Sequence, residues 1–261
     1  MRTRVALALL ALAAPVWATA AAATPTAGAV PVPAASAAQQ RAPGRPAVVE
    51  HRVIGRSVRG RAIHAWRVGD PHAKVKAVAM AVMHGNEPAP RLILDSIRDG
   101  RPVQGIDLWL VPVANPDGLA RHTRKNAHGV DLNRNFPYRW ADLDGTYESG
   151  PRSASEREPR VLMRFFADVR PRYVVSFHQP LHGVDTSVSE ARPFAARLAR
   201  HLDLPRKRLV CGGVCHGTFT EWFMHRFPGV AVTVEYGEHP TRHRMLVTAP
   251  RQLIAALGGH R

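Results

Sequence analysis

A chain of 261 residues is long enough for one α/β domain, or two small ones, with a buried core. Its 45% hydrophobic and 21% charged residues exclude wholesale disorder, and two cysteines exclude both a disulfide-framework miniprotein and a four-cysteine zinc ribbon. A formal charge of +16 raises nucleic acid, anionic cell-surface polymers and acidic substrates as partners.

Residues 1–21 begin with Arg2 and Arg4, continue as an apolar stretch from Val5 to Ala18, and end in small residues. That order predicts a cleaved secretory signal, and with it a mature protein outside the cytoplasm. The apolar stretch is about 14 residues, short of the roughly 20 that span a bilayer, so no stable membrane anchor is expected. Loss of Arg2 and Arg4 lowers the charge only to about +14. Residues 22–47 are rich in Ala, Pro, Thr and Ser without periodicity and read as a linker. The folded domain is then 48–261.

Two short strands, 48–53 and 62–68, are expected around a Gly55–Gly60 turn region. Residues 77–83 form a continuous apolar run, as in a strand buried on both faces, and end at His84-Gly85-Asn86-Glu87. Pro88 suits a first helical turn, with Leu92, Ile93 and Ile97 as the apolar stripe. A strand over 106–113 ends at Asn115-Pro116-Asp117-Gly118. Residues 119–153 lack periodicity and read as a long, functional loop. A helix over 156–168, a strand over 173–177, helices over 192–201 and 219–226, a strand over 230–236 and a helix over 246–257 complete the chain. Alternating strands and helices indicate a three-layer α/β/α sandwich around a mixed, largely parallel sheet. His84, Glu87, Asn115, His178 and Glu235 all fall near C-terminal strand ends, the edge where open α/β sheets bind ligands.

A loop with His84 and Glu87 three apart can aim an imidazole and a carboxylate at one ion, and Gly85 lets the backbone bend between them. A catalytic zinc site takes three protein ligands, and His178 is the expected third. The pattern H-x-x-E alone is weak evidence in a chain with 14 histidines. The run Gly129-Val130-Asp131-Leu132-Asn133-Arg134-Asn135-Phe136-Pro137 could hold a carboxylate through its Arg and Asn side chains, or be a turn that caps its own backbone. The basic excess has a quirk: Lys74, Lys76, Lys125 and Lys207 are the only lysines, leaving 32 arginines. With no basic region, zinc finger or RNP motif, nucleic acid is not expected.

Taken together, His84–Glu87, Asn115–Gly118, Arg124 with Gly129–Pro137, Ser176-Phe177-His178 and Thr233-Val234-Glu235 resemble the zinc carboxypeptidase family (carboxypeptidase A-like). The compact size and the segment 176–185 look most like its murein peptide amidase branch, which cuts γ-D-glutamyl–diaminopimelate bonds. The resemblance implies a carboxypeptidase-like fold, a hydrolase and one zinc per chain on His84, Glu87 and His178. It implies that Asp131 orients a ligand histidine, Arg124 polarises the scissile carbonyl, and Asn133 and Arg134 grip a terminal carboxylate. Glu235 is the implied general base, with Glu238 as a nearby competitor. The expected substrate is a peptide or muropeptide, and the remaining positive charge suits weak attraction to anionic cell-wall polymers.

Two departures from the digestive enzymes stand out. Asn86 replaces a basic residue, and residues 210–220 lack the family's mobile tyrosine, for which His216 is a candidate substitute. Cys211 and Cys215 read as a local disulfide, with two free thiols or a metal site shared with His216 as alternatives. Alternative readings of the whole are a carboxypeptidase on ordinary peptides, an amidohydrolase of the succinylglutamate desuccinylase or aspartoacylase type, and a non-catalytic wall-peptide binding module. No G-x-S-x-G elbow supports serine chemistry, and no H-E-x-x-H helix is present.

Overall fold

The unbroken apolar runs of the sequence are strands whose successive side chains enter two different cores. The computed structural model describes residues 47–210 and 213–261, so the signal and linker expectations, Ala47 apart, lie outside the described residues. The strands are β1 (Val48–Arg56), β2 (Ala62–Val68), β3 (Lys76–Met80), β4 (Asp107–Val111), β5 (Tyr173–His178), β6 (Leu181–Asp185), β7 (Arg206–Lys207) and β8 (Val230–Gly237). They form one sheet in the order β1-β2-β4-β3-β5-β8-β6-β7. The central strands β4, β3, β5 and β8 are mutually parallel, whereas β1–β2, β2–β4 and β6–β8 are antiparallel.

The helices are α1 (Arg91–Arg98), α2 (Pro116–Arg121), α3 (Arg157–Val169), α4 (Arg192–Leu202), α5 (Phe219–Arg226) and α6 (Ala249–Ala256). Ala77, Ala79, Leu108, Leu110, Val175, Phe177, Val232 and Val234 pack on one face against α1, α4 and α6. Val78, Met80, Trp109, Val111, Val174 and Ala231 pack on the other face against α3 and α5. This period-two division makes both faces apolar and gives the expected three layers. Among the described residues no helix is long and apolar enough to cross a membrane.

β3 lies between β4 and β5, so the chain leaves it toward one side and later returns on the other. The crevice at such a switch point is where an α/β sheet accepts a ligand. The sheet positions the expected residues there: His178 ends β5, and Glu235 pairs with it in register on β8.

Several local expectations are corrected. β3 stops at Met80, because Val82 adopts a left-handed φ of 54°, held by bonds from Ala114 N to Ala81 O and Asn115 N to Val82 O. This turn takes the chain off the sheet just before His84. Pro88 precedes α1, whose N-cap is Pro90, and Leu94 joins Ile93 and Ile97 on its buried face. The stretch 119–153 is not wholly loop. Asn115 caps α2 by accepting from Gly118 N at 2.8 Å, Pro116 opens that helix, and single 3₁₀ turns cover 132–134 and 145–147. The last helix starts at Ala249 after a wider turn over 244–248. β6 and β7 were not expected; they are short, and two-residue β7 carries no hydrophobic pattern to read.

Candidate metal centre

The site is built by the loops that follow β3, β4, β5 and β8. Gly85 is required there by close approach rather than by an unusual dihedral: a methyl group on it would overlap the Gly118 carbonyl. A methyl on Gly118 would meet Asn115 Nδ2 and Lys125 O. The two glycine-containing motifs are therefore one packed unit that fixes His84 and Glu87 against the start of α2.

His84, Glu87 and His178 are all buried, with ligand atoms within 4.8 Å of one another. His84 Nδ1 lies 2.7 Å from Glu87 Oε1, and His178 Nδ1 lies 3.0 Å from Glu87 Oε2 and 3.3 Å from His84 Nδ1. The far nitrogen of each ring is occupied. His84 Nε2 is 3.0 Å from Asp131 Oδ1, and His178 Nε2 is 3.0 Å from Ser176 Oγ. These partners assign the hydrogen to Nε2 of His84 and leave both Nδ1 atoms turned toward Glu87. Two imidazoles and one carboxylate, each locked by a second contact, are the donor set of a catalytic zinc.

Asp131 serves three groups: beside His84, its Oδ1 accepts from Asn133 N at 2.9 Å. Its Oδ2 accepts from Arg124 Nε at 2.9 Å and lies 2.8 Å from Arg124 Nη2. Arg124 Nη1 then reaches to 3.3 Å from His84 Nδ1 and 3.5 Å from Glu87 Oε1. Burial works against the Asp131 carboxylate, but His84, then Arg124 and Arg134, hold it well below the usual range. Burial also opposes charge on His84, yet Glu87 and Asp131 outweigh it and push the metal-free imidazole up to about 9. Glu87 is correspondingly pulled down against its own burial, chiefly by His84.

Asn133 and Arg134 sit in the 3₁₀ turn anchored by Phe136, a fully buried ring packed 5.4 Å from both Phe219 and Trp222. Burying such a ring contributes on the order of 2 kcal/mol and fixes the preceding residues. Asn135 adds bonds to Ser149 O, Arg152 O and Ser155 Oγ. Arg134 is 4% exposed, donates from Nη1 to Asn133 O at 2.7 Å, and leaves its buried Nε without a partner. Burial lowers its pKa, partly offset by Asp131.

Glu235 is 8% exposed and accepts from Leu181 N at 3.2 Å. Burial pushes its carboxyl above the ordinary glutamate value; His178 opposes this and Glu87 adds to it. Glu238 is exposed; its carbonyl accepts from Gln179 Nε2 at 3.0 Å, and its carboxylate has only a 3.9 Å contact with exposed His239. All eight residues expected at the site thus converge, seven of them lining a cavity of about 500 Å³ with Asp131 immediately behind.

Sequence reasoning missed four neighbours. Tyr147 lies under both arginines, its ring centre 5.4 Å from the Arg124 and 5.0 Å from the Arg134 guanidinium carbon. It belongs to a stretch without periodicity, so no pattern pointed to it. Ser176 could have been found, since residues two apart on a strand share a face with His178. Gln179 bridges Ala89 N, Gly237 O and Glu238 O, and its own N–H donates to Glu87 Oε2 at 3.2 Å. Glu221 also lines the cavity. His216, the candidate substitute for the missing tyrosine, has its Nδ1 3.1 Å from Arg139 O and is not among the residues lining the cavity. Cys215 is disulfide-bonded, which removes it as a thiolate ligand; Cys211 lies outside the described residues.

A parallel-centred α/β/α sheet with a His-Glu-His centre at its switch point defines a zinc-dependent hydrolase. The sequence profile of the zinc carboxypeptidase family matches residues 35–184, and the chain belongs to that family. It is a zinc metallopeptidase. The match starts inside the stretch read as linker and stops before Glu235. The chain is similar to murein peptide amidase A of Escherichia coli (strain K12), 31% identical over 200 residues that cover 68% of this chain and 76% of the relative. Carboxypeptidase B of Homo sapiens is 30% identical over 161 residues, 49% of this chain and 38% of the relative. The crystal structure of the murein-tripeptide amidase from Escherichia coli O157 superposes with a TM-score of 0.63 at 25% identity, over 80% of this chain and 90% of that one. Carboxypeptidase A from Helicoverpa armigera superposes at 0.66, over 82% of this chain and 68% of that one; at 20% identity it shares the fold.

Proposed function

We propose that the protein is a secreted amidase that hydrolyses the bond preceding a residue with a free carboxylate in peptidoglycan-derived peptides, as in γ-D-glutamyl–diaminopimelate. The observation that carries this reading is the buried, unpartnered Nε of Arg134 in the same cavity as the His-Glu-His centre. An arginine kept this dry without a carboxylate is costly, and a substrate carboxylate completes its fork. The similarity to murein peptide amidase A supports the peptidoglycan class over ordinary peptides. The signal-like residues 1–21 support export, and the charge of about +14 left after their removal suits retention near anionic wall polymers.

His84, Glu87 and His178 would hold the zinc, which when bound supplies Lewis acidity to the scissile carbonyl and to water. Asp131 fixes His84 and Arg124 together, so the Arg124 guanidinium is preorganised for the developing oxyanion. Asn133 Oδ1 is taken up by Phe219 N at 2.9 Å, which turns its amide nitrogen to the carboxylate site beside Arg134. Glu235 takes a proton from the attacking water and delivers it to the leaving amine.

Arg134→Ala should raise KM for substrates with a free terminal carboxylate by about 10- to 100-fold, the loss of a charge-assisted bidentate contact. Substrates whose terminal carboxylate is amidated should show much less change. Steady-state kinetics on the matched pair checks this, and an unchanged KM for the free acid would remove the carboxylate clamp.

A further inference from the structure

Arg124 and Arg134 bring two like charges into one cavity, and their neighbours treat them differently. Asp131 Oδ2 accepts from Arg124 Nε at 2.9 Å and lies 2.8 Å from its Nη2. Arg134 instead donates from Nη1 to Asn133 O at 2.7 Å, and its buried Nε lacks a partner. Burial works first against the charge on Arg134; Asp131 opposes this, and Arg124 adds to it.

What the two guanidinium groups share is Tyr147. Its ring centre lies 5.4 Å from Arg124 Cζ and 5.0 Å from Arg134 Cζ, with both groups over the ring. Both distances fall within the roughly 6 Å over which the negative face of an aromatic ring attracts a cation. The ring is also tied to the backbone that carries the arginines. Tyr147 closes the 3₁₀ turn over 145–147. On one side of it, Gly145 O accepts from Lys125 Nζ, the residue after Arg124. On the other, Glu148 O accepts at 2.7 Å from the N–H of Asp131, the acid that holds Arg124.

A carboxylate placed between two guanidinium groups would attract them more strongly than a ring does. It would also occupy the N–H groups that a substrate needs and repel a substrate carboxylate. An aromatic face has neither drawback, because it carries no net charge and accepts the guanidinium plane rather than its N–H fork.

Resting on the roles given to Arg124 and Arg134 in the amidase reading, we propose that Tyr147 is a positioning residue whose ring face holds both guanidinium groups side by side, leaving their N–H groups to the oxyanion and the terminal carboxylate. One ring then serves two steps, and its loss acts on turnover through Arg124 and on binding through Arg134.

The test uses the zinc-loaded enzyme and whichever of L-Ala-γ-D-Glu-diaminopimelate or an ordinary peptide it cleaves, each as the free acid and as the terminal amide. Tyr147→Leu should lower kcat on both forms and raise KM for the free acid, each by about 3- to 30-fold. Tyr147→Phe, which keeps the ring, should recover most of both losses. Phenylalanine bearing one, two or three fluorines at position 147 keeps the ring while draining charge from its face, so kcat/KM should fall stepwise while the melting temperature stays level. A flat fluorine series would reduce the ring to packing and overturn the proposal. A loss in Tyr147→Phe as large as in Tyr147→Leu would assign the effect to the hydroxyl and overturn it as well. If Arg134→Ala leaves KM for the free acid unchanged, the carboxylate clamp of the amidase reading fails, and a stepwise fall in kcat with fluorination still upholds Tyr147. A flat series overturns the Tyr147 assignment whichever bond is cleaved.

Discussion

Glu235→Gln should keep its zinc and lose about 10²- to 10⁴-fold in kcat. Glutamine preserves the volume of a side chain that is 8% exposed and retains an oxygen to accept from Leu181 N. It removes only the ability to take a proton. The location of Glu235 makes the effect specific: it stands in register with His178 across two parallel strands, and its pKa is raised by burial with Glu87 adding to the shift. A raised pKa brings the base closer to the operating pH, and it sets the sign of the pH dependence. As pH falls through that raised value the carboxylate protonates and turnover is lost, so the acid limb of the wild-type profile should lie above the ordinary glutamate value. Glu238→Gln should remain active, because that side chain is exposed and outside the cavity. Metal analysis together with steady-state kinetics on both variants checks this, and full activity in Glu235→Gln would refute its role.

Zinc uptake should depend steeply on pH and release a proton. In the metal-free protein His84 is pushed up to about 9 by Glu87 and Asp131, against its burial, so near neutrality it is protonated. A metal can take Nδ1 only after that proton leaves. Apparent affinity should therefore climb about tenfold per pH unit below that value and flatten above it. Calorimetry in buffers of different ionisation enthalpy would count the proton, and chelator competition at several pH values would give the slope. One zinc per chain is expected, and His178→Ala should retain none under the same conditions. A pH-independent affinity would contradict the ion-paired His84, and absence of zinc from the wild type would contradict the centre itself.

The convergence was legible in part: His84, Glu87, His178 and Glu235 stand at or just beyond strand ends, Asp131, Asn133 and Arg134 lie in one polar run, and Arg124 was indicated only by the family resemblance. The run 230–236 marked nearly where its strand stops, whereas 77–83 overshot β3 by three residues; a parallel sheet brings the strand ends to one edge. What was not legible depends on packing between segments far apart in the chain. Gly85 was read as a bend, whereas it is needed because Gly118 lies against it. Tyr147 lies in a stretch with no periodic signal, and Glu221 on an expected helix whose pattern does not say which residue meets a cavity; Phe136, packed on Phe219, ties that helix to the polar run. The turn at Val82 was hidden for the opposite reason, since a buried valine in an apolar run gives no hint of a left-handed backbone.

Incubating the zinc-loaded enzyme with L-Ala-γ-D-Glu-diaminopimelate beside ordinary C-terminal peptides, and identifying products by mass spectrometry, tests the central claim most directly. Release of free diaminopimelate from the tripeptide, with ordinary peptides left largely intact, is the predicted result. Release of ordinary C-terminal residues while the tripeptide stays whole would contradict it.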